Sequence, residues 1–240
     1  MMKSKLLNSL ILVALAIPGV AMADSAPSSP FSGNVSLTTD YLYRGITQTD
    51  HHGAIQGGFD YANPNGIYVG TWGSNISWLT DPGNYYGKGA SLELDTYAGY
   101  RNSFATDYSY DVGFLRYNYG GELPNGLVSA NTNEIYGLIG WKWLTAKYSY
   151  SLTNLFGFTD SSGSGYFDLS GNYTLADSGV TLGAHYGKQS VKNNSAAEYS
   201  DYNVKASMPF GAYTWAFMIS KTNLTGYDKA KGVLSVSHSM

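Results

Sequence analysis

Residues 92–100 read Leu-Glu-Leu-Asp-Thr-Tyr-Ala-Gly-Tyr, and in this stretch Glu93, Asp95 and Tyr97 stand at every second position. The intervening positions begin with Leu92 and Leu94. Successive side chains of a β-strand point to opposite faces, so this period of two predicts a strand with one polar and one apolar face. No 3.6-residue stripe that would favour a helix is present here.

The same alternation recurs along the chain, and no later segment shows a convincing helical stripe. Most of the resulting segments are close to the ~9–11 residues that a tilted strand needs to cross a bilayer. They predict an all-β fold, a transmembrane antiparallel up-and-down β-barrel of about 12 strands that forms one domain over residues 33–240. The predicted strands are 33–45, 54–62, 66–76, 90–100, 106–119, 133–141, 143–152, 164–174, 179–188, 200–208, 212–222 and 231–240.

The connections between these segments alternate in length. Tight turns, such as 63–65 and the one near Lys142, alternate along the chain with long stretches such as 77–89, 120–132 and 153–163. An up-and-down barrel with both termini inside the cell envelope alternates short periplasmic turns with long outer loops in this way.

Aromatic residues cluster near the predicted short turns, where an interfacial girdle of a membrane barrel is expected. The alternative is a soluble β-sandwich or closed barrel, whose core also uses aromatics. A soluble protein charges its exposed face heavily, whereas only 13% of these residues are charged. The predicted girdle residues are Tyr61, Tyr68, Tyr100, Tyr108, Trp141, Trp143, Tyr173, Tyr213 and Trp215.

Residues 1–23 have the pattern of a cleaved secretory signal peptide. Lys3 and Lys5 precede an apolar run over 6–16, and Ala21-Met22-Ala23 forms an A-x-A site with cutting expected before Asp24. The apolar run is shorter than the ~20 residues of a spanning helix, which disfavours a membrane anchor. Residues 24–32 are expected to form a flexible lead-in, and the predicted location is the cell outer membrane.

Composition excludes several classes of site. The sequence has no cysteine, which excludes disulfides, thiolate metal sites and a cysteine nucleophile. The net charge is −3, and removal of Lys3 and Lys5 from the 14 basic side chains leaves 12 against 17 acidic ones, a net charge of −5. An acidic chain of this kind argues against a nucleic-acid partner.

The opening Gly33-Asn34-Val35-Ser36-Leu37-Thr38-Thr39-Asp40-Tyr41-Leu42-Tyr43-Arg44-Gly45-Ile46-Thr47-Gln48 resembles the start of the TorF-type porins, small outer-membrane proteins of Gram-negative bacteria. Further similar stretches lie at 54–61, 70–75, 92–100 and 110–113, so the resemblance is dense over 33–120 and thin afterwards. It implies a signal-bearing, roughly twelve-stranded barrel and no catalytic residue. One departure is the final residue, Met240, since outer-membrane barrels commonly end in an aromatic residue. This difference concerns the assembly of the barrel more than its fold.

Charged residues within the predicted strands define the candidate functional site. An ionised group facing lipid is costly at the bilayer midplane, so we expect these side chains to point into the lumen. Asp201 is expected near the outer rim together with Arg44 and Glu134. Arg116 does not share the inward phase of Asp111 on the same strand, which indicates a bulge or a rim position. The predicted pore-lining residues are Asp40, Arg44, Glu93, Asp95, Asp111, Glu134, Lys147, Asp168 and Lys205.

Two arrangements of these charges are open. They can line a pore that sorts solutes by charge, or form a salt-bridge network that fills a closed barrel. We favour the pore, a channel for passive diffusion of small hydrophilic solutes with an acidic bias. The competitor is a non-conducting surface barrel whose outer loops bind a partner. The expected partners are membrane lipid and lipopolysaccharide, small hydrophilic solutes, and the barrel-assembly machinery during biogenesis.

No catalytic or cofactor motif is present, and no cofactor or metal is expected. Asp50, His51 and His52 could bind a metal in principle, but a solvated loop is the simpler interpretation. His185 could act as the base for a serine, as in twelve-stranded outer-membrane phospholipases. Those enzymes need the pair on the lipid-facing surface, whereas alternation places His185 in the lumen.

Overall fold

The computed structural model describes residues 29–80, 86 and 89–240. Twelve strands form a closed barrel in which each strand pairs antiparallel with its neighbour in the chain, and the last strand pairs with the first. The predicted fold class is thereby confirmed. The barrel strands are β1 Phe31–Thr38, β4 Ala54–Ala62, β5 Ile67–Asn75, β6 Leu92–Phe104, β7 Tyr108–Tyr119, β8 Thr132–Trp141, β9 Leu144–Ser151, β10 Gly165–Thr174, β11 Thr181–Ser190, β12 Tyr199–Phe210, β13 Tyr213–Thr222 and β14 Lys231–Ser239. Two short strands, β2 Leu42–Tyr43 and β3 Ile46–Thr47, pair only with each other. The predicted signal peptide and residues 24–28 of the lead-in lie outside the described residues.

Strand bounds agree with the alternation in the sequence to within about two residues, except in the first segment and at the end of β6, which continues to Phe104. The predicted strand 54–62 coincides with β4, whereas the predicted 33–45 is wrong beyond Thr38, where β1 ends. At its other end β1 starts at Phe31 rather than Gly33, because Phe31 pairs with Tyr61 of β4 and its ring stacks on Phe59 at 5.8 Å.

The connections alternate in length as predicted. The short ones, at one end of the barrel that we call the turn end, span 63–66, 105–107, 142–143, 175–180 and 211–212. The long ones, at the opposite loop end, span 39–53, 76–91, 120–131, 152–164, 191–198 and 223–230. The chain termini of the barrel meet at the turn end, where Gly33 and Met240 exchange two backbone hydrogen bonds of 2.9 and 2.8 Å.

The two faces of the wall differ in chemistry. Outward positions carry exposed aliphatic side chains such as Val69, Ile139 and Val204 along the length of the barrel. Six of the predicted girdle residues are exposed near the turn end: Tyr108, Trp141, Trp143, Tyr173, Tyr213 and Trp215. The prediction for Tyr68 is wrong, because this side chain is only 4% exposed and its hydroxyl donates to the inward Asp111. Proximity to a turn does not decide on which face a side chain lies.

Arg116 lies at the rim and not in a bulge. The pairing of β7 with both neighbours continues through this position without an extra residue. Its guanidinium group points outward and donates to Asn118 at 2.6 Å and to Asn133 at 3.1 Å. The one helical element in the described residues is a single 3₁₀ turn at Ser195–Ala197. The described part of the chain therefore contains no helix that is long and apolar enough to cross a membrane.

Candidate functional site in the barrel lumen

The interior of the barrel collects the charged residues predicted from sequence. Seven of the nine lie on the inner faces of strands, and the other two, Asp40 and Arg44, lie in residues 39–53, which we call the inserted segment. The seven are Glu93, Asp95, Asp111, Glu134, Lys147, Asp168 and Lys205. All but Lys205 are at most 8% exposed.

The inserted segment leaves the wall immediately after β1, so the placement of Asp40 in mid-strand is wrong. The Asp40 carboxylate accepts hydrogen bonds from Thr47 at 2.6 Å and Thr49 at 3.2 Å, and its other oxygen lies 2.9 Å from the ring of His51. Three partners within eleven residues fold the segment back on itself. Asp40 therefore organises the segment and is not part of the strand wall.

The β2–β3 hairpin of the inserted segment crosses the lumen at the loop end. Arg44 at its tip makes an ion pair with Glu134 of β8, in which Nη2 donates to both carboxylate oxygens at 3.0 and 2.8 Å, and its Nη1 donates to Gln189 of β11 at 2.8 Å. Both charged side chains are buried, at 6% and 2% exposed. The neighbouring Gly45 abuts Asp201 of β12 and Thr222 of β13, so the tip packs against this part of the wall while Arg44 reaches across the lumen to β8.

Glycine is required at this tip. Gly45 has φ = 76°, and a Cβ atom added there would lie 2.6 Å from Thr222 and 2.7 Å from Asp201. Any side chain at 45 would push the hairpin away from strands β12 and β13. The sequence Arg44-Gly45 thus lets the hairpin pack closely against β12 and β13.

Aromatic rings fill the space around the hairpin. The Tyr43 hydroxyl lies 2.6 Å from that of Tyr117, and both rings pack edge-on against Phe156 from the long loop 152–164. The guanidinium group of Arg44 also lies over the ring of Tyr166 at 4.2 Å. A positive group over an aromatic face is attracted by the ring quadrupole. The loop-end half of the described lumen is therefore densely packed.

The turn-end half of the lumen is filled on one side and more open on the other. On the filled side, Tyr68 of β5 and Asp111 of β7 are buried and joined by a hydrogen bond of 2.6 Å. On the open side, formed by β1 and β10–β14, several inward side chains are short and polar, and they are half-buried or exposed: Asn34, Asn172, Thr181, Asn203 and Ser237. Lys205 belongs to this half and is half-buried. The barrel therefore combines a solvent-accessible vestibule at the turn end with a constriction, formed by the hairpin, at the loop end.

Charges of opposite sign are paired across neighbouring strands. Lys147 is the register partner of Asp168, and its ammonium group lies 4.0 Å from the centre of the Tyr136 ring. His185 is held between two carboxylates, with Nδ1 3.0 Å from Asp168 and Nε2 2.8 Å from Asp201. Pairing of this kind is what makes ionised groups tolerable at buried positions.

The arrangement around His185 does not match the phospholipase hypothesis. Its ring points into the lumen, as alternation predicted, and both ring nitrogens lie beside carboxylates. Ser170 lies 3.2 Å from the ring, but its hydroxyl donates to Asp168 at 2.7 Å. A nucleophilic serine on the lipid-facing surface is not formed by this pair.

Metal ligation by the His51 loop is likewise not supported. Within residues 29–80, 86 and 89–240 no group of three or more histidine or acidic side chains is arranged to hold a metal ion. The side chain of His51 is 58% exposed and contacts Asp40 alone among the acids.

Several residues of the lumen were missed from sequence. Arg101, whose guanidinium lies 5.0 Å from the Tyr68 ring centre, was assigned to a turn because the strand was ended at Tyr100. Gln189 was missed for the same reason, since the strand was ended at 188. Tyr166 shares the phase of Asp168, and alternation alone could have identified it.

A cleft opens where β1 leaves the wall. β1 and β14 share only five residue pairs, and above them a cleft of about 580 Å³ lies between the inserted segment and the loop 223–230. Charges of both signs line it, from Asp40, Asp50, Lys229 and Lys231.

The fold is similar to solved membrane barrels at low sequence identity. The "KdgM porin in complex with disordered oligogalacturonate" matches with a TM-score of 0.53 and 10% identity, over 88% of this chain and 98% of that one. A structure reported under "Unveiling the Mechanism Behind the in-meso Crystallization of Membrane Proteins" matches with a TM-score of 0.52 and 7% identity, over 88% and 83%. OprD of Pseudomonas aeruginosa gives a TM-score of 0.42 at 14% identity, over 90% and 68%.

Residues 22–234 match the model of a family described as "Bacterial protein of unknown function (Gcw_chp)". No curated protein sequence matches the chain.

Proposed function

The chain belongs to the Gcw_chp family of bacterial proteins of unknown function, and we propose that it is a porin-like channel of the outer membrane. Small hydrophilic solutes would cross it by passive diffusion, without chemical change. One observation carries the proposal: a closed twelve-stranded barrel has an apolar outer face and a charged, polar inner face. A contiguous apolar surface of this extent needs lipid around it, and a polar interior needs water.

The inner face supports a preference among solutes. Acids outnumber bases among the residues that face the lumen, and Asp201 and Asp60 add to the predicted set. Rings of acidic side chains favour cations in a pore. We therefore propose a weak preference for cations or small zwitterionic solutes.

The route has two parts in this proposal. Solutes would pass between the vestibule at the turn end and the outer mouth, and the constriction around Arg44 would set the size limit. Export through a cleaved signal peptide, contact with lipopolysaccharide and insertion by the barrel-assembly machinery are part of the same proposal. A relation to the TorF-type porins also belongs to this proposal, and it is based on the similar stretches within residues 33–120.

The channel is tested by recording current through the chain from Asp24 onward in a planar bilayer at high and low salt. We expect discrete current steps and a reversal potential in a salt gradient that indicates cation preference. A folded, heat-modifiable barrel that gives no current, in the natural form and after removal of the Arg44 side chain, would exclude a channel.

A second function is favoured by the hairpin that crosses the lumen. The ion pair between Arg44 and Glu134 could keep the barrel closed permanently, and the outer loops would then serve as a binding surface. The same recordings separate the two proposals, because a permanently closed barrel conducts neither before nor after release of the hairpin.

Membrane insertion gives a further prediction that depends on strand phase. Val204 is 58% exposed on the outer face near the middle of β12. A lysine on the lipid face near the bilayer midplane costs ~2–4 kcal/mol, so we expect Val204→Lys to lower the free energy of unfolding by that amount. Urea unfolding of the barrel in lipid vesicles measures the difference.

The control for this variant is the neighbouring residue on the opposite face. Asn203 lies at the same depth and points into the lumen, so Asn203→Lys should cost much less. Equal costs for the two lysines would contradict the assignment of the outer face to lipid.

A further inference from the structure

Two acids on the inner face of β6 stand apart from the paired charges of the lumen. Glu93 is 1% exposed and Asp95 is 5% exposed. Because they are two residues apart on one strand, their side chains point the same way from Cα atoms about 6.6 Å apart. They therefore form one buried acidic pair at the loop end of the lumen.

Nothing in the described residues neutralises this pair. Neither acid has a salt-bridge partner among them, and the nearby Glu93 and Glu134 only add negative charge around Asp95. Arg44 is already paired with Glu134, whose two carboxylate oxygens both accept from its Nη2 atom. Buried ionised carboxylates are unfavourable unless a positive charge accompanies them, so protons or a bound cation must be present.

The hydrogen bonds of the pair are also incomplete. Glu93 Oε1 accepts from the Tyr119 hydroxyl at 3.1 Å, and the Tyr41 hydroxyl lies nearby. The second oxygen, Glu93 Oε2, has no partner, and neither has Asp95 Oδ1. Buried polar atoms almost always have partners, so two open carboxylate oxygens at one place point to a missing ligand.

Unmet donors lie on the same side of the barrel. In the described part of the chain four buried side-chain atoms lack a hydrogen-bond partner, and the other two are Ser77 Oγ and Trp78 Nε1. The Trp78 ring packs on Tyr119 at 5.5 Å, and Tyr119 is the residue that donates to Glu93. A bare cation could satisfy only the carboxylates, whereas a hydrated cation also brings water oxygens that accept from an N–H group.

We propose that Glu93 and Asp95 bind a hydrated divalent cation of the Mg²⁺ or Ca²⁺ type. Both ions prefer oxygen ligands, and Mg²⁺ in particular is held by one or two carboxylates while it keeps several waters. One such ion would neutralise both carboxylates, and its waters would supply partners for Trp78 and Ser77. The site does not depend on conduction, since it could equally brace a barrel that is closed.

The test measures how Mg²⁺ and Ca²⁺ affect the thermal unfolding of the folded chain in detergent. A ligand that binds only the folded state raises its stability in proportion to the logarithm of its concentration. We expect millimolar MgCl₂ or CaCl₂, compared with NaCl of equal ionic strength, to raise the Tm of the natural chain by several degrees. Glu93→Gln with Asp95→Asn should abolish this shift.

The matched control is Asp60→Asn. Asp60 also faces the lumen, but its carboxylate accepts from the Tyr97 hydroxyl at 2.7 Å. We expect this variant to keep the full cation-dependent shift. A direct measurement on the natural chain is the emission of bound Tb³⁺, sensitised by the surrounding tyrosine and tryptophan rings. Ca²⁺ should displace the Tb³⁺ and so lower this emission. This second measurement applies even where the double variant does not fold.

Two results would overturn the proposal. A Tm that does not respond to divalent cations, together with no displaceable Tb³⁺ emission, would mean that protons neutralise the pair. An equal shift in the natural chain and in the double variant would place the ions elsewhere on the barrel. Neither result bears on the channel, which is tested by current.

Discussion

Replacement of Arg44 by alanine is expected to raise the single-channel conductance severalfold. The Arg44 side chain spans from the hairpin tip to Glu134 and Gln189, and it stacks on Tyr166. Its removal deletes both the ion pair and the group that fills the centre of the constriction. The measurement is the step size of single-channel current in planar bilayers at high salt, where screening limits effects of charge alone.

Arg116→Ala is the matched control for this experiment. Arg116 also lies towards the loop end, but its guanidinium group is on the outer face and bonds Asn118 and Asn133. We expect its conductance to equal that of the natural chain. An unchanged step size in both variants would mean that the route for ions does not pass the hairpin.

Replacement of Glu134 by leucine is expected to destabilise the barrel by ~3–5 kcal/mol, the usual cost of removing one partner of a buried ion pair. The loss is large because Arg44, 6% exposed, is left charged in a site where only Gln189 and aromatic rings remain. The free energy of unfolding from urea titration measures the loss. Glu134→Leu combined with Arg44→Met should recover most of it, since no unpaired charge then remains.

The exposed ion pair between Lys142 and Asp107 provides the comparison. Its two groups are 3.8 Å apart and about half exposed, so Asp107→Asn should change stability by less than about 1 kcal/mol. A cost for Glu134→Leu as small as this would show that water reaches Arg44 freely, and the constriction would then be wider than the ion pair indicates.

The strand pattern was predictable because alternation is a local property. Each inward residue of β6, β8 or β10 fixes the phase of its whole strand, and so Glu93, Glu134 and Asp168 could be placed in the lumen from sequence. The ends of strands could not be predicted in the same way. The predicted strand 90–100 leaves out Arg101, whereas β6 continues to Phe104. The prediction that Tyr68 belongs to the girdle was wrong because it used only the distance of the residue from a turn. It ignored the alternation, which places this side chain on the inner face.

The amino-acid sequence was enough to predict a β-barrel, the approximate number of its strands, the alternation of short turns and long loops, and the polarity of each face. These features follow from periods of two residues and from turn lengths, which are written locally in the chain. The folded barrel was needed to show that the chain leaves the wall at Thr38 and crosses the lumen. Alternation runs on through Tyr41 and Tyr43, so no local signal ends the strand. The hairpin is fixed instead by Glu134 and Gln189, which are 90 and 145 residues from Arg44 in the chain and come near it only when the barrel closes.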